Sequence, residues 1–379
     1  MRLLTVVRIG FLGLAMAAEI ACGGGPSPVT SPVTPVLKVT VTLTAQPATI
    51  SAGGSTVLSW TSTNATAVSI SGLGSFAATG TATVTPSSTT TYTASATGAS
   101  GTATASATVT VTANAPPAVP LFGHVILVVE ENHGYSQVIG TSAMPYLNGL
   151  ASQYGLATQY FANTHPSIGD YFMMTTGQII TNDDAYTGTV SADNIVRRLL
   201  TAGKTWKSYT ESLPTVGYTG GDVYPYLRRH NPFSYISDVT NSSNQKNFLV
   251  PFTQFAADLR NNQLPQFSFV IPNALNDAHD GSLSQADSWL KTNIAPLIAS
   301  APFQKDGLLI IVFDEAADTD ASHGGGRVAA VIVSPRAKNN YQSTKVYQHE
   351  ATLRLLLEGL GITTLPGSAA TAPDMIEFF

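Results

Sequence analysis

The chain has one cysteine, Cys22, in 379 residues. That excludes an intrachain disulfide framework and any thiolate metal cluster. Charge is scarce too, at 11% of residues, while 44% are hydrophobic, which excludes a charge-rich disordered chain. Basic residues are outnumbered, 18 against 23 acidic for a net charge of -5, so there is no nucleic-acid-binding footprint. From Val39 to Val129 there is no Asp, Glu, Lys or Arg, and 37 of the 41 charged residues lie from Glu130 onward. Length at about 100–200 residues per domain allows two or three domains. Two segments of different character are joined, and the chemistry belongs to the second.

Arg2 and Arg8 flank a short apolar start, and an apolar run follows from Ile9 to Ala18. These are the charged and hydrophobic regions of an export signal, too short to span a bilayer comfortably. The run closes on Ile20-Ala21-Cys22, before Gly23-Gly24-Gly25. This resembles the lipobox of bacterial lipoproteins, whose cysteine becomes the lipidated N-terminus. Glu19 departs from that pattern, which has an aliphatic residue there. The resemblance implies a signal segment over 1–22, a membrane anchor at Cys22 and a place in the cell envelope. Plain secretion with an incidental Cys22 is the other reading. Ser27 to Pro35 alternates Ser, Pro, Val and Thr, which suits an extended linker over 23–37.

The charge-free stretch alternates apolar and polar residues, as in Val39-Thr40-Val41-Thr42-Leu43-Thr44 and Ser55 to Trp60. Short strands separated by Gly53-Gly54, Gly72, Gly80 and Gly98 predict a β-sandwich over 38–114. Leu58-Ser59-Trp60 and Thr89 to Thr93 resemble strands of bacterial immunoglobulin-like domains. Trp60 and Tyr92 belong in its core rather than on a sugar-stacking surface. With no carboxylate, His or Cys from Val39 to Ala113, this segment reads as a spacer or weak adhesion module.

From 120 to 379 the pattern changes. Val125 to Val129, Leu308 to Phe313 and Val328 to Val333 are continuously apolar, and Phe267 to Ile271 nearly so. Such runs predict strands buried on both faces, as in a parallel sheet. Helical periodicity in Tyr146–Tyr154, Ala192–Leu200, Ser284–Ile298 and Glu350–Leu360 makes this an α/β domain. The first strand runs into Glu130-Glu131-Asn132-His133 and a later one into Asp314-Glu315. Ligands of open α/β sheets bind beyond the carboxyl ends of the strands. Carboxylates gathered there repel one another unless a cation sits among them, and oxygen ligands suit a hard divalent metal. Glu131, Asn132, Asp314 and Glu315 are the candidate ligands, while Glu130 points the other way and is read as a helix cap.

Ser167 lies in Thr164-His165-Pro166-Ser167-Ile168-Gly169-Asp170-Tyr171, at the start of a helical or turn segment. No Gly-x-Ser-x-Gly elbow surrounds it, which argues against an α/β-hydrolase. A hydroxyl facing a metal can act as a nucleophile without a histidine base.

Seven stretches in order, "VVEENHGYSQ" at 128–137, "THPSIGDYFMMTTG" at 164–177, "GKTWKSYTES" at 203–212, "RRHNPF" at 228–233, "IPNALNDAHDGS" at 271–282, "FDEA" at 313–316 and "GGGRVAAVIVSP" at 324–335, carry a resemblance. The chain is similar to the bacterial phosphoesterase family of phospholipase C-type enzymes and acid phosphatases, in the alkaline-phosphatase-like superfamily. The resemblance implies an alkaline-phosphatase-like central sheet flanked by helices, and hydrolysis of phosphate mono- or diesters. It implies Ser167 as nucleophile, and His230 and His279 as histidines that contact the phosphate or protonate the leaving group. Glu131, Asn132, Asp314 and Glu315 would bind the metal. His165 and Asp170 stand where substrate contacts are expected, although His165 also suits a loop-shaping role.

Two departures stand out. Gly169-Asp170 replaces the family's Pro-Asn, and a carboxylate near a phosphate dianion would repel it. The stretch after Glu315 lacks the family's Gly-Gly-aromatic-Asp-His-Val and offers only Asp318, Asp320 and His323. His124, His133 and His349 are assigned structural roles. A sulfatase is disfavoured by the lack of a Cys/Ser-x-Pro-x-Arg context around Ser167. The alternative from another class is a surface adhesion or carbohydrate-binding protein with a degenerate hydrolase domain.

Overall fold

A computed structural model describes residues 37–51, 53–112 and 118–379. The expected signal segment, Cys22 and the linker up to residue 36 lie outside them. Among the described residues no helix is long and apolar enough to cross a membrane. Those up to Thr112 form one compact unit and those from Ala118 a second.

The first unit is all β. Its strands are β1 (Thr40–Gln46), β2 (Thr49–Ser51), β3 (Thr56–Thr63), β4 (Ala67–Ile70), β5 (Gly74–Phe76), β6 (Thr79–Val84), β7 (Thr90–Gly98) and β8 (Gly101–Thr112). They form two sheets, ordered β1-β3-β6 and β2-β8-β7-β4-β5. The period-two alternation turns Leu43, Leu58, Trp60, Tyr92 and Val109 into one core between them. Outward threonines pair across strands, with Thr42 and Thr61 hydroxyls 2.8 Å apart and Thr91 and Thr108 2.9 Å apart. Trp60 is buried, its indole N–H donating to the Ala77 carbonyl at 3.0 Å. A Cβ at Gly80 would lie 2.6 Å from the Trp60 ring, so this position requires glycine.

The second unit is α/β. Its strands are β9 (His124–Glu130), β10 (Gly155–Tyr160), β11 (Trp206–Thr210), β12 (Leu249–Pro251), β13 (Phe267–Ile271), β14 (Gly307–Phe313), β15 (Ala330–Val333) and β16 (Tyr341–Tyr347). The sheet order is β12-β11-β13-β9-β14-β15-β10-β16. The helices of seven or more residues are α1 (Pro145–Gln153), α2 (Ile168–Thr176), α3 (Ile195–Thr201), α4 (Thr253–Arg260), α5 (Leu283–Ala299) and α6 (His349–Gly359). β9, β13 and β14 are parallel neighbours at the centre, and their side chains are almost all buried. Each Val, Leu or Ile so buried contributes about 1.5–3 kcal/mol, which is why uninterrupted apolar runs end up here.

One strand departs from the parallel expectation. β15 runs antiparallel to both β14 and β10. A parallel return needs a crossover connection, usually a helix. The chain between Phe313 and Ala330 holds only the three-residue turn Ser322–Gly324, so it doubles back.

Phe313 pairs with Glu130 in register. The residues that follow each strand, Glu131 and Asp314, therefore emerge side by side at the carboxyl edge of the sheet.

Candidate active site

Glu131 leaves β9 with its N–H bonded to the Asp277 carbonyl at 2.7 Å. Asn132 then takes φ 57°, a left-handed conformation that asparagine tolerates, and donates its N–H to Asp314 Oδ1 at 3.0 Å. Ser167 opens α2. Its Oγ lies 2.7 Å from Glu315 Oε1 and 3.1 Å from Glu131 Oε2. A hydroxyl has one hydrogen, so only one of these contacts is an ordinary hydrogen bond. The other sets a carboxylate oxygen against a lone pair. Asp314 Oδ2 is buried with no partner.

The electrostatics follow from this crowding. Burial first, then the charge of Asp314, raises the Glu131 carboxyl well above the usual range. Burial, then Glu315, pushes Asp314 up to about 8. Burial likewise raises Glu315, although Ser167 and His165 oppose it. These groups need either protons or a cation. Glu131 Oε2 and Glu315 Oε1 flank the Ser167 hydroxyl, and oxygen donors of this kind suit a hard divalent ion. Among the described residues the ligand atoms that lie within 4.8 Å of one another are those of Glu131, His230 and His279 and those of His165, Glu315 and Asp318. Asn132 lines the same cavity.

That cavity has a volume of about 390 Å³ and is also lined by Ser167, Asp184, His279 and Asp318. A larger one, about 800 Å³, opens beside His124, Arg260 and Lys305, where β9 begins, and no candidate site residue lines it.

The two expected histidines take different places. His279 borders the cavity, with Nδ1 2.8 Å from Asp280 Oδ1 and Nε2 3.2 Å from an Arg229 guanidinium nitrogen. His230 is buried, stacked on Tyr171 at 5.3 Å, with Nδ1 3.2 Å from Asp277 Oδ2 and Nε2 3.3 Å from Glu131 Oε1. Burial, with Arg229 and His279 adding to it, holds His230 well below the usual imidazole pKa. Of the adjacent arginines, Arg228 lies 4.0 Å over the Tyr235 ring and Arg229 faces the site.

Other expectations are corrected. Asp170 does not line the cavity but is fully buried behind it, accepting the Asn163 N–H at 2.8 Å. His165 Nδ1 contacts Glu315 and lies 3.8 Å from Asp318 Oδ1, and Nε2 lies 3.0 Å from the Asp320 carbonyl. His323 packs against Phe161, ring centroids 4.0 Å apart, and does not line the cavity. Glu130 caps no helix; both its oxygens are buried and unpartnered. Gly169 is required where it stands, since a Cβ would lie 2.4 Å from the Thr164 methyl and 2.5 Å from Asn182 Oδ1. No proline ring could enter there.

Sequence reasoning passed over Tyr171 and Asp277. Tyr171 donates to Glu131 Oε1 at 2.6 Å. It follows Ser167 by four residues, the spacing that puts both on one helix face. Asp277 accepts the His279 N–H at 2.8 Å and faces His230. Its only sequence signal was its place inside the "NDAHD" stretch.

Fold and site define an α/β domain that presents a serine hydroxyl among carboxylates at the carboxyl edge of its sheet. The Phosphoesterase family matches residues 141–362, more than half the chain, and the chain belongs to that family. The matched span begins after Glu131, which joins the site through the structure. A phosphatidylinositol-3-phosphatase of Mycobacterium tuberculosis is 36% identical over 203 residues, 53% of this chain and 66% of that protein. An acid phosphatase of Aspergillus fumigatus is 29% identical over 256 residues, 64% of this chain and 56% of that one. Phospholipase C B of Mycobacterium tuberculosis is 26% identical over 219 residues, 47% and 41% of the two chains. The chain thus spans between 41% and 66% of the length of these relatives.

Proposed function

We propose that the second unit hydrolyses phosphate mono- or diesters with Ser167 as nucleophile, in an alkaline-phosphatase-like arrangement. The observation that carries this is the Ser167 hydroxyl between Glu315 Oε1 at 2.7 Å and Glu131 Oε2 at 3.1 Å. Glu131, Asn132, Asp314 and Glu315 would hold a divalent cation, which when bound offsets phosphoryl charge and lowers the hydroxyl pKa. Ser167 Oγ gives its proton to one of the two flanking carboxylates and attacks phosphorus. The bond from phosphorus to the leaving oxygen breaks, and that oxygen takes its proton from water; His279, whose Nε2 accepts from Arg229, orients that guanidinium at the cavity wall. Water then hydrolyses the phosphoserine. The α2 N-terminus beside Ser167 presents the positive end of a helix dipole to the phosphoryl oxygens.

Phosphoinositide and phospholipid headgroup esters are the first substrates to test, given the names of the relatives. A carboxylate at position 170 gave some weight to the reading as an adhesion protein with an inactive domain; the burial of Asp170 favours the hydrolase. The first unit is assigned as an immunoglobulin-like spacer, and the chain as an exported protein tethered through Cys22.

The test is turnover of p-nitrophenyl phosphate and bis-p-nitrophenyl phosphate by the native chain and Ser167→Ala, with and without chelator. Native activity that the chelator removes and that Ser167→Ala lacks, with an unchanged circular dichroism spectrum, is the expected result. Full activity in the alanine variant would sink the assignment.

A further inference from the structure

Behind the cavity lies a second buried network that the reaction above does not use. His349, at the start of α6, is fully buried, and so is Asp170. His349 Nε2 lies 2.6 Å from the Asp314 backbone carbonyl. A carbonyl only accepts, so the hydrogen sits on Nε2. Nδ1 then accepts from the Tyr160 hydroxyl at 3.1 Å, and the Tyr160 oxygen accepts from Thr352 Oγ1 at 2.6 Å. Every hydrogen in this chain has one place. Burial keeps the imidazole neutral, lowering its pKa to about 4.

The same network reaches the loop that carries Ser167. Asn163 donates its N–H to Asp170 Oδ1 at 2.8 Å and its side-chain N–H to Glu350 Oε2 at 2.8 Å, and its Oδ1 accepts the His349 N–H at 3.2 Å. Asp170 Oδ1 is also 3.4 Å from His349 Nε2, while its Oδ2 has no partner. Asp314 is held through both sides of its backbone, by His349 at its carbonyl and by the Glu130 carbonyl at its N–H, 2.9 Å away. Burying a carboxylate and an imidazole here is costly, and a hydrophobic pair would pack more cheaply. What the polar pair supplies is a rigid link between two loops.

We propose that His349 is a positioning residue for the cation site, joined to Asp170 through Asn163: this chain fixes the Asp314 backbone against the Asn163–Ser167 loop, and so sets the gap between the Asp314 carboxylate and the Ser167 hydroxyl. This rests on the metal-dependent reading above. Asp170 on this account touches no phosphate.

The test uses the full chain, stripped of metal, with Mn2+ and Zn2+ as probes. Calorimetric ion affinity, melting temperature, and kcat and KM for p-nitrophenyl phosphate are measured for each variant. His349→Gln keeps a donor for the Asp314 carbonyl and an acceptor for Tyr160; His349→Leu keeps volume only. Loss of such an outer partner should weaken ion binding about tenfold or more in His349→Leu and lower kcat with KM nearly unchanged, whereas His349→Gln stays within about threefold of native. Asp170→Asn should weaken ion binding in the same direction as His349→Leu; native ion affinity with tighter inhibition by inorganic phosphate would place Asp170 at the substrate and overturn the pairing. Equal falls in melting temperature for both His349 variants at native ion affinity would reduce His349 to packing and overturn the proposal. Native chain that binds neither ion would sink the metal reading itself, a separate outcome. Should His349→Leu fail to fold, Tyr160→Phe carries the test, with ion binding weakened about threefold expected and native affinity overturning the inference.

Discussion

Tyr171 and Ser167, one helical turn apart, face the two oxygens of the same carboxylate: Tyr171 donates to Glu131 Oε1 at 2.6 Å, and Ser167 Oγ lies 3.1 Å from Oε2. The plane of Glu131 is thereby set by the helix that carries the proposed nucleophile. The Tyr171 ring also lies parallel to His230, so one side chain orients a carboxylate and an imidazole.

Tyr171→Phe keeps the ring and its stack but removes the donor. Hydrogen bonds to charged groups are worth about 1.5–3 kcal/mol, so kcat for p-nitrophenyl phosphate should fall roughly 10- to 100-fold. Circular dichroism should be unchanged. Native kcat in this variant would show that Glu131 needs no such support.

Asp277→Asn leaves the backbone carbonyl that holds Glu131 and an oxygen for the His279 N–H. It replaces the acceptor opposite His230 Nδ1 with a choice of donor or acceptor at one site. Asp277→Ala removes both side-chain contacts. Turnover should drop by about tenfold or more in Asp277→Ala, with the asparagine variant in between. Equal, native rates in both would rule Asp277 out of the site's support.

Stability of the metal-free protein should fall as pH rises through neutrality. Burial raises Asp277 and Asp314 to about 8, against an unfolded value of about 4. Between those values the folded state holds protons that the unfolded state has released, so unfolding becomes easier with increasing pH. The chelated protein should melt higher at pH 6 than at pH 8, and Mn2+ should narrow the difference. At the acid end the sign reverses for Asp238. Burial opposes its ionisation, but Arg197 and Asn194 prevail and lower its pKa. Its contribution is present above about pH 4 and lost below it. A chelated protein that melts at one temperature from pH 6 to 8 would contradict the carboxylate clustering.

Trp60→Ala should destabilise the first unit by about 3–5 kcal/mol, the usual cost of emptying an aromatic core position. If that unit is a spacer, kcat/KM for a soluble ester should stay within about twofold of native. A matching loss of turnover would give the first unit a part in catalysis.

Much of the scaffold was legible because burial leaves a periodic trace. Continuous apolar runs marked β9, β13 and β14, and strict alternation marked the first unit with Trp60 and Tyr92 inward. Tyr341–Tyr347 and Leu249–Pro251 left no such trace, since one is half exposed and the other has three residues. Loop residues were harder still. His230 and Asp170 both carried a motif signal, yet the motif did not say which way either side chain turns.

The amino-acid order alone determined that the acids following β9 and β14 sit at strand ends, because an uninterrupted run of apolar side chains is stable only when buried on both faces of a sheet and the first charged residues mark where that burial stops. Only tertiary structure decided that Phe313 pairs with Glu130, that β15 reverses, and that His349 reaches back to Asp314 and Tyr160. Those outcomes depend on contacts between residues up to 189 positions apart. Such contacts answer to packing and hydrogen-bond geometry across the whole domain, which no local pattern encodes.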